Sequence, residues 1–508
     1  MHEDGVMANS ESQPQVSALL RSINLGSPVA EHDTALANYF VETDTFNSLI
    51  TDQRDTIAGD KGTGKTALFK ILKDRFTQYE AMNNVEVLPA FNATGEPIFQ
   101  RLLDAGTLDE SRYIALWKTY FVMVAANWLL ELHGDARPGS LGRLDEVLGK
   151  SGLRSGESKP ASLFSQLVRV FRATKLDGSA AVTPEGLPLF AGSISFTDAA
   201  SPEEKPVDSI RYAEALDLLE TCLEETGFKL WLVLDRLDEA FQAHPEIERP
   251  ALRALFRSYL DMQDLERLKL KLFVRRDLFA RIIQGGFVNL THINARKISI
   301  TWEDADLFAL LSNRLKESRQ FVELAGLESA DANAVFATVF PEKVDPGSKR
   351  PLTWDWILTR IRDGNGVKSP RNLVDFVIKA IEAQQRREAT SPRAHVPGQA
   401  LITGDALKRA LVELSAERLE DTLLAEAGEA VEYIARFEGG KAEHNDDTLR
   451  VLFGAESGAV SKQLTSLGFL ESIGQTYKVP MLYRSGMHIT NGKAFGADQA
   501  SSGGSEEE

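Results

Sequence analysis

The chain has 508 residues, 43% hydrophobic and 26% charged, with a formal net charge of −17. That length predicts roughly two to four domains with ordinary globular cores. The acidic balance argues against a broad electrostatic hold on nucleic acid, which needs clustered Lys and Arg, and the single cysteine, Cys222, excludes an internal disulfide or a cysteine-built zinc site.

A lone thiol fits a reducing cytoplasm, and Met1-His2-Glu3-Asp4-Gly5 lacks the basic-then-apolar layout of a signal peptide. The expected location is therefore cytoplasmic. Residues 1–29 are expected to be a flexible N-terminus. A helical spacing follows from Ala30 through Leu36, Tyr39 and Phe40 to Ile50.

The strongest signal comes next. Gly59-Asp60-Lys61-Gly62-Thr63-Gly64-Lys65-Thr66 follows the short apolar Thr56-Ile57-Ala58 and runs into Ala67-Leu68-Phe69-Lys70-Ile71-Leu72, which has helical periodicity. This is G-x-x-x-x-G-K-[ST] in the strand–loop–helix context that the motif requires. Its glycines let backbone N–H groups turn inward around a phosphate chain, and the helix start adds partial positive charge. Gly59 through Ala67 are thus the expected binding residues for a nucleoside triphosphate, ATP being the expected one. Lys65 would reach the β- and γ-phosphates, and the Thr66 hydroxyl would hold Mg²⁺. Tyr39 or Phe40, just upstream, reads either as a core aromatic or as a contact for the nucleotide base.

Val85 to Phe91 is a second β-favouring run. The simple alternation of strand and helix then stops, and about 95–206 reads as an insertion in the sheet. It carries an apolar helix up to Leu132, a Gly/Ser-rich loop, a helix at Leu163 to Thr174 and a short strand at Phe190 to Phe196. Lys118, Asn127 and Glu131 break the apolar stretch Tyr113 to Leu132, which reads as a buried helix with no membrane partner.

Ser209 to Thr226 is amphipathic and stops at Gly227. Phe228-Lys229-Leu230-Trp231-Leu232-Val233-Leu234-Asp235 is the near-continuous apolar run of a strand buried on both faces of a parallel sheet. Its terminal carboxylate falls at the edge where ligands bind in such sheets. Asp235 is therefore the expected Mg²⁺ partner of Thr66. Asp238 and Glu239 lie one turn on, and either could orient or deprotonate an attacking water. Leu268 to Val274 predicts a strand ending in Arg275-Arg276-Asp277 beside that carboxylate strand. Arg275 there suits a γ-phosphate, while pairing of Arg275 or Arg276 with Asp277 is the competing reading. Ala295 to Ile300 predicts the last strand of the sheet.

From Trp302 onward the pattern is helical. Pro370 suits the first position of a helix, so Arg371 falls in its opening turn, where it could point at the nucleotide. Residues 384–399 read as a linker. Helices near 446–453 and 457–467 and two strands, 468–471 and 475–480, form a winged-helix pattern. Its basic residues Arg450, Lys462, Lys478, Arg484 and Lys493 are offset by Asp446, Asp447, Glu456 and Glu471. Only Lys462, with Gln463 and Ser461, would face bases, so packing or protein contact leads over DNA binding.

The expected fold is α/β, a P-loop NTPase with a parallel sheet flanked by helices, followed by a helical lid and a winged-helix domain. The expected boundaries are 30–300 for the ATPase core, 301–390 for the lid, 400–490 for the helical and winged-helix domain and 491–508 for a disordered acidic tail.

Gly59–Thr66, Leu232 to Glu239, Arg275 and Pro370-Arg371 together resemble the bacterial STAND and origin-recognition-like branch of AAA+ P-loop ATPases. That resemblance implies an ATP-driven switch that closes lid and winged helix or assembles into a homo-oligomer, with hydrolysis resetting it. It further implies sensor roles for Arg275 and Arg371, a separate effector protein, and a link to phage defence or mobile elements. Arg236 stands where many AAA+ proteins place Glu, which leaves Asp238 or Glu239 as the base. The competing functions are an ATP-dependent DNA-binding regulator or loader, and a small-molecule kinase on the same loop.

Overall fold

In the computed structural model the described residues are 14–92, 110–155, 163, 194–195, 210–237, 245–284 and 286–496. Two compact units divide the chain. The first is Glu42–Asp60 with Lys65–Ile300; the second is Met1–Val41, Lys61–Gly64 and Thr301–Glu508.

The first unit is built on five strands: β1 (Thr56–Gly59), β2 (Val85–Asn92), β3 (Lys229–Asp235), β4 (Leu268–Arg275) and β5 (Lys297–Ser299). Their order is β2-β3-β4-β1-β5, and every pair is parallel. Parallel strands are covered on both faces, which is why Leu230 to Leu234 carry no polar side chain. The covering helices are α1 (Lys65–Arg75), α2 (Glu110–Leu132), α3 (Tyr212–Thr226) and α4 (Pro245–Asp261). Gly227, at φ +78°, ends α3 in the left-handed conformation expected of a C-terminal glycine.

Within the segment read as an insertion, about 95–206, α2 is buried in the core of the sheet. It packs along α3 and α4, and Trp117 Nε1 donates to the Ala251 carbonyl at 2.8 Å. Trp117, Tyr120 and Phe121 are completely buried in the same apolar core as the strands. The helix has the length and apolarity of a membrane span, yet 83% of its most apolar window is buried inside the unit. Ile194–Ser195 pairs with Ile210–Arg211. The expected helix past Leu163, and the expected strand at Phe190 to Phe196 apart from Ile194 and Ser195, lie outside the described residues.

An ion-pair cluster ties β4 to the residues that lead into β1. Lys271, fully buried in β4, donates to Asp55 Oδ1 at 2.7 Å, Asp52 Oδ1 at 2.6 Å and the Arg54 carbonyl at 3.1 Å. Arg296 and the Tyr259 hydroxyl also bond Asp55. A charge in such a place persists because the ammonium has an acceptor for each of its three N–H groups.

The second unit is helical with a small sheet. Its N-terminal helix, Val16–Ser22, buries Val16, Leu19 and Leu20. Val16 N donates to the Arg393 carbonyl at 2.9 Å, and His395 N to the Pro14 carbonyl at 2.9 Å. The expectation of a flexible 1–29 therefore fails from residue 14, because three apolar side chains at helical spacing suffice to dock it. The long helices here are α5 (Asp304–Glu317), α6 (Pro370–Thr390) and α7 (Gly404–Arg418).

Reading 384–399 as a linker also fails. α6 runs on to Thr390 with Gln384 and Glu388 buried. Gln384 Oε1 accepts from Thr403 N at 3.0 Å and Thr403 Oγ1 at 2.8 Å, and Gln384 Nε2 donates to Glu388 at 2.7 Å. Hydrogen bonding between helices hides polar residues that composition assigns to a surface.

The C-terminal part holds β6 (Lys441–Asn445), α8 (Asp446–Phe453), α9 (Ser457–Ser466), β7 (Glu471–Ile473), β8 (Thr476–Lys478) and β9 (Thr490–Lys493). The sheet order is β9-β6-β8-β7. Both helices and β8 fall on the expected segments, β7 meets its expected strand, 468–471, only at Glu471, and β6 and β9 were not foreseen. Ser461 is buried and donates to the Gly458 carbonyl at 3.2 Å, which removes it from the base-facing candidates.

Candidate functional site

β1 ends at Gly59 and α1 begins at Lys65, so the motif forms the turn from the sheet's C-terminal edge into a helix start. Gly62 and Gly64 take φ of +78° and +100°, which residues with a Cβ rarely adopt. Lys65 folds over the loop, and its ammonium donates to the Gly59 carbonyl at 2.9 Å and the Asp60 carbonyl at 3.0 Å. Thr66 and Ala67 occupy the first turn of α1.

β3 delivers Asp235 to the same edge. Its carboxylate is 1% exposed and is bonded by the Thr66 hydroxyl and the Arg236 backbone N–H. Burial pushes its pKa up to about 6, against those two bonds and the nearby charges of Lys65 and Arg236. Its Oδ2 is buried with no hydrogen-bond partner among the described residues. Such an atom is costly unless something completes it. A hydroxyl joined to a carboxylate with an open oxygen fits a hard divalent cation of the Mg²⁺ class.

A raised folded-state pKa means that the neutral form is favoured on folding. The associated stability is present at low pH and lost as pH rises through about 6. Asp235→Asn is therefore expected to raise the melting temperature without Mg²⁺ or nucleotide at pH 7.5, by a free energy of up to about 3 kcal/mol. The gain should shrink towards pH 5. A melting temperature unchanged or lowered at pH 7.5 would show that the carboxylate is already compensated.

β4 lies between β1 and β3, with Arg275 in register with Gly59. The sheet thus brings Arg275 beside the start of the loop. Its guanidinium bonds Asp277, Nε to Oδ1 at 3.0 Å and Nη2 to Oδ2 at 3.2 Å. Burial alone would raise the Asp277 pKa, but the Arg275 charge and bonds outweigh it and hold it low. Arg276 pairs with Asp60 at 3.0 Å. Asp238 and Glu239 lie outside the described residues.

Lys61–Gly64, the loop's tip, is part of the second unit and is bonded there. Trp302 Nε1 donates to the Thr63 carbonyl at 2.8 Å, Ser369 Oγ to the Gly62 carbonyl at 2.8 Å and Lys61 Nζ to the Asp421 carbonyl at 3.1 Å. A Cβ on Gly62 would stand 2.6 Å from Ser369 Oγ and 3.2 Å from Arg371 Cβ. Arg371 follows Pro370 at the start of α6, next to the loop's backbone. Trp302 and Ser369 were missed from sequence. Only the position of Ser369 before a helix-starting proline hinted at it. Tyr39 is buried, with its hydroxyl bonded to Asp33 and the Arg314 guanidinium over its ring at 4.2 Å, so it is a core aromatic.

A parallel sheet flanked by helices, with a phosphate loop after β1 and a buried carboxylate at the end of β3, defines an α/β fold of the P-loop NTPase class. No protein-family model matches the chain. It is 24% identical over 309 residues to a transposon gamma-delta 80.3 kDa protein of Escherichia coli (strain K12), a match covering 58% of this chain and 40% of that protein. The chain thus spans less than half of that relative's length. Among solved structures it is similar to a Walker-type ATPase of Pyrococcus abyssi, with 12% identity, 89% and 96% of the two chains covered and a TM-score of 0.38. It is also similar to the ORC2 protein of Aeropyrum pernix, with 14% identity, 95% and 96% covered and a TM-score of 0.34.

Proposed function

We propose that the chain binds and hydrolyses ATP and acts as a nucleotide-controlled switch. The observation that carries this reading is the pairing of the Lys65–Thr66 loop end with the buried Asp235, one of whose oxygens is left for a cation. A bound Mg²⁺, held through Thr66 and Asp235, would neutralise charge on the β- and γ-phosphates. In the reaction a water oxygen bonds to the γ-phosphorus while the bond to the β,γ-bridging oxygen breaks. ADP leaves with that electron pair, and the water's proton passes to a carboxylate, with Asp238 and Glu239 the candidates. Lys65 orients the phosphates and offsets their charge throughout. Arg275 and Arg371 are proposed readers of the γ-phosphate from β4 and from the start of α6.

The switch reading extends the resemblance to STAND-type ATPases. Trp302 and Ser369 bond carbonyls of the loop tip, so a nucleotide that reshapes the loop would be felt at both. We place the output in assembly and in a partner effector protein. Residues 441–493 are proposed as a winged helix used for protein contact. Val451 on α8 is 87% exposed and Ile473 on the β7–β8 hairpin 51%, apolar surface that suits a protein better than phosphates. The transposon name of the E. coli relative is in keeping with a role in mobile elements or defence against phage. Native mass and phosphate release should be measured together with ATP, with ADP and without nucleotide. Turnover with an ATP-dependent change in mass is the expected result. Turnover with constant mass, or salt-sensitive DNA binding dependent on ATP, would favour the regulator reading instead.

A further inference from the structure

Five non-glycine residues have positive φ among the described residues: Asp52, Asn84, Arg236, Asn289 and His488. Asp, Asn and His are the types that tolerate this conformation, because short polar side chains can satisfy themselves locally there. Arg236 is the exception, at φ +56°. A turn of this kind ordinarily takes glycine or asparagine, and a long side chain at such a position points to a use for the side chain rather than for the turn.

Its location says what that use is. Arg236 directly follows Asp235 at the C-terminal edge of β3, between two residues that are about 1% exposed, Asp235 and Leu237. The left-handed turn leaves the carboxylate at the strand's end facing the loop while Leu237 is anchored in the core. Arg236 itself is only partly buried. Its charge and that of Lys65 both act on Asp235. Arg236 and Lys65 thus both bring a fixed positive charge to the carboxylate at the strand's end, at the edge where the phosphate loop lies.

We propose that Arg236 is a phosphate-contacting catalytic residue, its guanidinium stabilising the charge that develops as the γ-phosphoryl group is transferred. This rests on the ATPase reading above. It assigns a role to the position that breaks the usual carboxylate pair, and it makes the arginine part of the same chain rather than of a neighbour. Arginine suits the task because it is always charged and donates in a planar fork.

The test compares the wild type with Arg236→Gly, Arg236→Asn and Lys65→Ala in the full chain, reading phosphate release against ATP concentration and melting with and without Mg-ATP. Glycine and asparagine both accept the backbone, so both variants should melt no lower than wild type without nucleotide. Their kcat should fall at least tenfold, with KM changed less than threefold. Turnover within threefold of wild type in both variants, while Lys65→Ala is inactive, would overturn the role of Arg236 alone. A wild type without turnover that Lys65→Ala leaves unaltered would overturn the ATPase reading and this inference with it.

Discussion

Lys65→Ala is expected to reduce ATP turnover about 100-fold or more, on the scale seen when one fixed charge-stabilising donor is removed from a transition state. The ammonium reaches the Gly59 and Asp60 carbonyls from the first turn of α1, so it is held over the loop by the loop's own backbone. The bonds to these two carbonyls are only part-buried, so the fold should survive their deletion. The loss should appear in binding as well. Ligand at about 100 times its dissociation constant stabilises a folded protein by about 2.7 kcal/mol, and this Mg-ATP-dependent rise in melting temperature should largely vanish in the variant. Normal phosphate release by Lys65→Ala would refute ATPase chemistry at this loop.

Lys271→Met should give the largest loss of stability, about 3 kcal/mol, at the low end for breaking a buried ion pair because Arg296 remains on Asp55. Methionine keeps the length and apolar body of lysine, so the change isolates the ammonium, its three hydrogen bonds and its contact with the Trp231 ring at 4.0 Å. Burial alone would raise the Asp55 pKa, but the Arg296 and Lys271 bonds and charges outweigh it and hold it below the usual carboxylate value. A depressed folded-state pKa contributes stability above the unfolded value, near 3.9, that is lost as pH falls through the folded one. With Lys271 gone, that loss should begin at higher pH. Thermal or denaturant unfolding from pH 7 to pH 3 checks both effects. An unaltered midpoint at pH 7 would mean that Arg296 alone suffices for Asp55.

The local parts of the site were legible because their chemistry is written in adjacent residues. Gly59–Thr66 needs its glycines and lysine at fixed spacing, and Leu230 to Leu234 must be apolar because both faces of the strand are covered. Trp302 and Ser369 carried no comparable mark. Each meets a loop carbonyl from more than 230 residues away in sequence, and a single indole or hydroxyl has many uses. The 384–399 stretch misled for the opposite reason. Gln384 and Glu388 look like surface, and only their partners Thr403 and Arg393 make their burial tolerable.

The sequence by itself determined the phosphate loop, the strand ending in Asp235 and the α/β class, since each follows from short-range pattern and from the demands of a doubly covered strand. Only the tertiary structure decided the rest. It paired β4 with β1 as well as with β3, which sets Arg275 against Gly59, and it chose Asp60 as the partner of Arg276. It also exposed the left-handed turn at Arg236. Strand order, ion-pair choice and backbone strain depend on which distant segments meet, and no local periodicity records that.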